Sequence, residues 1–288
     1  MTRARPVGVL LSLPAVTLVA LLLVLPIAQT AYYSLTAWDG FQATWAGLGN
    51  YAQLFNNPAF GRVLENNLLL LLSVPVAVII PFGIAAVLNE HVLGWRLFRA
   101  LYFLPTAVSW VVTGMVATRF FAQDGILNGL LRGVGLGFVR TDLLAGERTA
   151  LLAVGLTFVW SMVGTNTLIF SAGLATVDPS LLEAARCDGA GPVRAFFSIT
   201  LPQLARFLQF AVVLTTISAF TALFSLIFVM TSGGPGDGTT TMEFYIYQRA
   251  FTQGEFGQGA MLGMVLLATV GLVTLIQVGA LARVGRES

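Results

Sequence analysis

Residues 183–202 read EAARCDGAGPVRAFFSITLP, a polar stretch between two long apolar runs of a very hydrophobic chain. Just upstream, Asp178-Pro179-Ser180 is a helix-start signal, with Asp as N-cap and Pro at the first helical position. Ser180 with Glu183 also fits a capping box one step later. Leu181 to Cys187 then predict about two helical turns. Asp188-Gly189 predicts a turn, because Gly189 can adopt the left-handed conformation that ends a helix. A second short helix is expected from near Pro192 to about Ile199, with Pro202 breaking it before the next apolar run. Residues 178–202 thus read as a helical hairpin on one face of a membrane protein, where a soluble partner would grip.

Outward from the hairpin, the composition is 57% hydrophobic and 10% charged. A soluble globular chain carries about a quarter charged residues, so this chain belongs in a bilayer. Six apolar runs reach the length of about 20 residues that a crossing needs. They cover residues 7–27, 68–88, 100–121, 150–172, 207–230 and 259–281. The first is longer than a usual signal-peptide core, and the expectation is an uncleaved span. The whole of 1–288 reads as one all-α transmembrane domain of six helices.

Arginine sets the orientation. All fifteen basic residues are Arg, and Lys is absent. Nine of them fall in segments expected inside (Arg3, Arg5, Arg96, Arg99, Arg186, Arg194, Arg206, Arg283, Arg286). Five fall outside (Arg62, Arg132, Arg140, Arg148, Arg249), and Arg119 sits at the outer end of the third span. That excess places both termini and the hairpin in the cytoplasm. The net charge of +2 reflects this asymmetry and gives no reason to expect a nucleic-acid partner.

Several chemistries are disfavoured. A phosphate loop of the G-x-x-x-x-G-K type needs lysine, so ATP would have to bind another polypeptide. Cys187 is the single cysteine, so no intrachain disulfide is expected. His91 stands beside Glu90 without a cysteine or carboxylate cluster, and no metal site is expected. The glycines at 133, 135 and 137 do not follow a strand, so they do not read as a nucleotide fingerprint. No nucleophile–base pairing appears, and the chain does not read as an enzyme.

The hairpin spells E-A-A, three residues, Gly, nine residues, Ile-x-Leu-Pro. This resembles the EAA motif of binding-protein-dependent ABC importer permeases. The resemblance implies a type I importer fold in which Glu183, Ala184, Ala185, Asp188, Gly189, Ile199, Leu201 and Pro202 couple to a cytoplasmic ATPase. Two further stretches carry the same likeness. Gly47-Leu48-Gly49-Asn50-Tyr51 matches a "GLxNY" segment. Thr231-Ser232-Gly233-Gly234-Pro235, followed by Tyr245-Ile246-Tyr247-Gln248-Arg249-Ala250-Phe251, is similar to the "GGP…YIYQxAF" signature of the carbohydrate type. The usual "TGGGP" is altered at Ser232. The likeness implies a second homologous permease, two ATPase subunits (as homodimer or heterodimer) holding ATP and Mg, and an extracytoplasmic solute-binding protein. It implies no cofactor on this chain, a prokaryotic cell membrane and a sugar or sugar-like solute.

Polar side chains inside a bilayer tend to face the protein interior or a water-filled cavity. Thr215, Ser218, Thr221 and Ser225 share one helical face of the fifth span, and Phe220, Phe224 and Phe228 share another. The fourth span offers Trp160, Ser161, Thr165 and Asn166. Hydroxyls, an amide and a flat aromatic are what a sugar site needs, which makes Trp160, Asn166, Thr215, Ser218 and Thr221 candidates for the solute path. The same hydroxyls can equally bond their own helix or a neighbour. Two other readings stand beside the sugar permease. One is a permease of the same machinery for a non-sugar solute such as a glycerophosphodiester or polyamine. The other is an ion-coupled secondary transporter, against which the lack of ionisable residues at span centres counts.

Overall fold

The computed structural model describes residues 6–89, 95–136 and 142–284. Arg3, Arg5, Glu90, His91, Gly137, Arg140 and Arg286, all used above, lie outside the described residues. Among those described, four helices are long and apolar enough to cross a bilayer: Ser12–Tyr33, Pro58–Leu88, Glu147–Leu174 and Phe256–Ala280. Two bent pairs, Ala100–Ala107 with Trp110–Phe121 and Pro192–Gln203 with Ala205–Thr221, bring the number to as many as six.

Two spans expected to be continuous are interrupted. The third turns by 111° between its two helices. Ser109 is extended there (φ −66°, ψ 150°), and its hydroxyl accepts from the Val112 amide at 3.4 Å, so it caps a fresh helix inside the apolar run. The fifth stops at Thr221, passes through Ala222 (φ −125°, ψ 0°) and resumes as Phe224–Met230. Among the described residues, three helices also carry a π-helical turn, at Ala20–Val24, Phe196–Thr200 and Gln248–Thr252.

The chain forms two compact units. The first joins Met1–Phe60 to Tyr245–Ala268. Strands Thr36–Trp38 and Ala43–Trp45 pair antiparallel in it, with Thr36 opposite Trp45. The Asn50 amide nitrogen donates to the carbonyls of Ser34 and Thr36 at 2.9 Å each, and the Tyr51 hydroxyl lies 2.9 Å from Ser34 Oγ. The Gly47–Tyr51 segment is therefore a clasp that holds the end of the first span to the hairpin. Among the aromatics of this unit, Phe41, Trp45 and Phe55 are exposed, while Phe60 is buried. A Cβ at Gly259 would stand 2.7 Å from that of Ala250, so this small residue serves packing within the chain.

The second unit runs from Gly61 to Phe244 and takes in Thr269–Ser288. Its centre is the helix Glu147–Leu174, packed against Ser73–Asn89 and Trp95–Ala107. Lipid tails are as apolar as leucine, so close packing and interhelical hydrogen bonds hold such a bundle together. Val154, Phe158 and Phe170 have no solvent access, and Phe170 meets Phe82 edge-on at 5.0 Å. Gly164 permits the tightest crossing. A Cβ there would overlap Thr106 and come within 2.8 Å of the Tyr102 carbonyl oxygen. Ile126–Gly133 is a helix whose Ile126 and Leu130 are exposed while Asn128 is buried.

Candidate functional site: a helical hairpin and a broken fifth helix

The hairpin forms where the sequence placed it. Asp178 is the N-cap, in extended conformation, and its carboxylate accepts from the Ser180 amide at 2.9 Å. That bond holds the Asp178 carboxyl below its ordinary range. The helix is Pro179–Cys187, so the box expected from Ser180 to Glu183 is not used, because Asp178 has already capped the helix two residues earlier. Asp188 follows as the C-cap, and Gly189 has φ +80°. The Ala190 amide reaches back to the Ala185 carbonyl at 2.9 Å, and the Gly189 amide to that of Arg186 at 3.1 Å. This pattern closes a helix on a left-handed residue. Nothing lies within 4 Å of where a Gly189 Cβ would be. Glycine is therefore required by the backbone angle alone.

The second arm differs from expectation. Pro192–Ala195 starts it, the π-helical turn Phe196–Thr200 follows, and Leu201–Gln203 continues. Pro202 does not break the helix. It directly follows the π-helical turn inside the continuous arm Pro192–Gln203, where the α-helical hydrogen-bond pattern that a proline would interrupt is already shifted. The bend of 67° comes instead at Leu204, whose amide is shared between the carbonyls of Thr200 and Leu201.

The hairpin has two faces. Ala185, Ala195, Thr200 and Leu204 are buried on the bundle. Glu183, Ala184, Asp188, Gly189 and Pro202 are exposed, and Ile199 and Leu201 are half-buried. Leu181, Val193 and Phe197 add exposed apolar surface, with Val193 at 70% and Phe197 at 61%. Cys187, Arg186 and Arg194 are exposed beside them. Behind the hairpin lies a cavity of about 350 Å³ lined by Ala86, Leu174, Val177, Leu182, Phe196 and Thr200.

The candidate solute-path residues separate into two groups. Asn166 and Thr215 are fully buried and are not presented to a path. The Asn166 amide nitrogen donates to the Ala77 carbonyl at 2.7 Å and to Thr215 Oγ1 at 2.9 Å. Their polar atoms are used up in joining three helices, because an unpaired polar group in that core would be expensive. Trp160 is 41% exposed, Ser218 is half-buried, and Thr221 is exposed with its hydroxyl donating to the Ile217 carbonyl at 2.8 Å.

The break in the fifth span holds a residue that the sequence reading passed over. Glu243, on the helix Met242–Tyr247, accepts the Phe224 amide at 2.9 Å and also bonds the Leu223 amide. Both donors belong to the interruption in the span. Burial pushes the Glu243 carboxyl up to about 7, against the opposing pull of these two amides. At the same break the rings of Phe224, Phe228 and Phe244 cluster, with centroids 5.6 to 6.5 Å apart. The signal in the sequence was a carboxylate set between Met242 and Phe244, but nothing local shows what it reaches. The loop leading to it is pinned. Asn66 donates to the carbonyls of Asp237 and Thr240 at 2.8 and 3.0 Å, and Thr239 Oγ1 to that of Gly234 at 2.9 Å.

Residues 43–284 match the model of the family described as "Binding-protein-dependent transport system inner membrane component". Among curated proteins, the chain is 34% identical to the sulfoquinovosyl glycerol transport system permease protein SmoG of Agrobacterium fabrum, over 94% of this chain and 89% of that one. It is 33% identical to the probable ABC transporter permease protein YurN of Bacillus subtilis, over 88% of each. It is 30% identical to the sn-glycerol-3-phosphate transport system permease protein UgpA of Yersinia pestis, over 93% and 91%. A crystal structure of a bacterial alginate ABC transporter, in complex with an alginate pentasaccharide-bound periplasmic protein, has a chain of the same fold. Its TM-score is 0.83 at 20% identity, covering 97% of this chain and 95% of that one. With its spans, its capped hairpin and this match along most of its length, the chain belongs to the inner-membrane permease family of binding-protein-dependent ABC importers.

Proposed function

We propose that this chain forms half of the translocation path of an ATP-driven importer for a sugar or sugar-like solute. The observation that carries the reading is the hairpin. Its two arms turn at Gly189 and present Glu183, Ala184, Val193 and Phe197 outward, while its other face is packed into the bundle. A rigid body that exposes apolar surface on one side and is fixed to the spans on the other is suited to carrying motion from a soluble partner to the membrane helices.

In this reading a second, related permease completes the path, and two ATPase subunits bind ATP and Mg. This chain contributes no catalytic group and binds no cofactor. Both termini and the hairpin face the cytoplasm, following the arginine excess. Loaded binding protein and ATP stabilise the outward-facing conformation relative to the inward-facing one. On the outer side, an open cavity of about 410 Å³ lined by Asp39, Gln42, Asn50, Gln53, Glu255 and Gln258 supplies hydrogen-bonding groups for the binding protein. Trp160, Ser218 and Thr221 keep the exposed surface that solute contact requires.

Glu183→Arg tests the reading. It reverses the charge at the start of the hairpin helix, where the dipole favours a carboxylate, and at the surface offered to the ATPase. The variant should insert normally and lose the ATPase on mild detergent purification, or retain it with hydrolysis uncoupled from uptake. Normal co-purification and normal uptake would reduce the hairpin to a linker.

A further inference from the structure

Phe41 stands at the tip of the strand hairpin 36–45 and is 97% exposed. A single exposed apolar side chain is ordinary, but this one is held in a fixed place. The Asp39 carboxylate accepts the Phe41 amide at 2.9 Å and the Gln42 amide at 2.7 Å, which sets the turn. Gly40 has φ +98°, and a Cβ there would stand 3.0 Å from the Phe256 ring, so the turn is seated on the start of the last span. Trp38 stacks on Tyr33 at 4.0 Å and meets Phe256 at 5.4 Å. An apolar group presented on a fixed frame loses little freedom when it is covered, which favours binding.

Beside the turn opens the cavity of about 410 Å³. Its lining holds two carboxylates, Asp39 and Glu255, and no arginine. Three acceptor oxygens are left over there. Asn50 spends its amide hydrogens on the Ser34 and Thr36 carbonyls and keeps Oδ1. Asp39 accepts the two turn amides on Oδ1 and keeps Oδ2. Glu255 pairs through Oε2 with Arg249 at 2.9 Å and keeps Oε1. The amides of Gln42 and Phe41 hold the Asp39 carboxyl below its ordinary range, so it stays charged. Among the described residues no cation is paired with it.

Such a cavity suits a group with positive charge and several donors. A guanidinium has five N–H donors in a planar fork and no acceptor. A small cation or a free sugar would leave Phe41 uncovered. A bilayer that took Phe41 would have to take the ionised Asp39, two residues away, with it. A protein surface that sets an arginine beside an apolar socket uses both features. The turn also precedes residues 43–284, which carry the family's shared pattern, so it is suited to telling one partner from another.

We propose that the extracytoplasmic binding protein docks on this turn and cavity, with an arginine between Asp39 and Glu255 and an apolar socket over Phe41, and that these two contacts select the cognate binding protein. The proposal rests on the importer reading above. Phe41 is the anchor, and the carboxylates steer approach and fix register.

The test uses the complete importer in lipid nanodiscs and measures binding of its purified binding protein. Phe41→Ala should raise Kd about tenfold or more, the scale of an aromatic anchor, mainly through faster release. Asp39→Asn keeps Oδ1 for the amides of Phe41 and Gln42, so the turn survives and only the charge is lost. Its Kd should also rise about tenfold, and its binding should depend less on salt than that of wild type. In double-mutant cycles of Asp39→Asn with single Arg→Ala variants of the binding protein, one arginine should be non-additive. Both variants should retain the ATPase in normal yield. An unchanged Kd in either variant, or additivity for every arginine, would overturn the docking surface and leave the importer reading standing. A spin label on Phe41→Cys, in a Cys187→Ser background, should meet a water-soluble nickel chelate more readily than oxygen; the reverse would assign Phe41 to the bilayer and overturn the proposal. A wild-type complex that neither binds the binding protein nor is stimulated by it in ATP hydrolysis would overturn both.

Discussion

The turn of the hairpin can be tested at Gly189. Its φ of +80° is one that L-residues enter at a cost of roughly 1–2 kcal/mol, and no neighbouring atom stands in the way of a side chain. The penalty of a substitution is therefore set by backbone preference rather than by bulk. Asn tolerates this region and should cost a few tenths of a kcal/mol up to about 1. Ala should cost about 1–2 kcal/mol. Val, β-branched, should cost more than 2 kcal/mol or abandon the conformation. A loss of 1–2 kcal/mol lowers the ratio of the correct to the distorted hairpin by roughly 5- to 30-fold. The assay is the amount of ATPase retained by the purified complex and the uptake per ATP it supports, in the order Gly, Asn, Ala, Val. If Asn were as damaging as Val, a side chain of any kind would be colliding with the partner and the backbone argument would be wrong. If Val matched wild type, the turn would carry no coupling function.

Three further outcomes follow from the geometry. A double-mutant cycle of Asn166→Ala and Thr215→Val should show a coupling of about 0.6–1.7 kcal/mol in thermal or denaturant unfolding in detergent, the range found for interhelical hydrogen bonds in membranes; strict additivity would mean that their contact holds nothing. In a Cys187→Ser background, a membrane-impermeant thiol reagent applied outside should label Gln42→Cys and leave Asp188→Cys untouched, and the reverse pattern would invert the orientation. Glu243 has its carboxyl raised from 4.5 to about 7, so as the outside pH falls below about 7 it gains a proton and loses its charge. Thermal stability in detergent should then rise in wild type, down to about pH 4.5, and stay level in Glu243→Gln. The stability contribution has the same sign logic: it is fully present below about 4.5 and lost as pH rises through about 7. Parallel pH profiles for the two proteins would exclude Glu243 as the titrating group.

The hairpin and the membrane crossings were legible because their signals are local. An aspartate before a proline caps one helix, a glycine ends it, and twenty apolar residues fill a bilayer whatever they pack against. The interruptions at Ser109 and Ala222 were not legible, since no proline or glycine marks either position. Ser109 looks like one more small residue in a span, and the amides freed after Ala222 are satisfied by a carboxylate 19 residues away from Phe224. Pro202 misled in the opposite direction, because the π-helical turn just before it has already shifted the hydrogen-bond pattern that a proline would interrupt. Helical periodicity identified Asn166 and Thr215 as facing something, but not that they face each other. Nor does a polar run such as Thr239-Thr240-Thr241 show that Thr240 is 1% exposed and donates to the Gly233 carbonyl.

The π-helical turn at Phe196–Thr200 bears on how permeases of this kind can be recombined. It gives the second arm of the hairpin one residue more than an α-helix would use over the same rise. Tightening it into an ordinary α-helix with no residue removed would rotate everything upstream, relative to the fifth span, by about the 100° that one residue subtends. Glu183 and Phe197 would then address a different sector of the cytoplasm. A hairpin transplanted from a relative, to redirect this chain to another ATPase, must therefore be cut after Thr200, so that the wide turn travels with the docking face it aims.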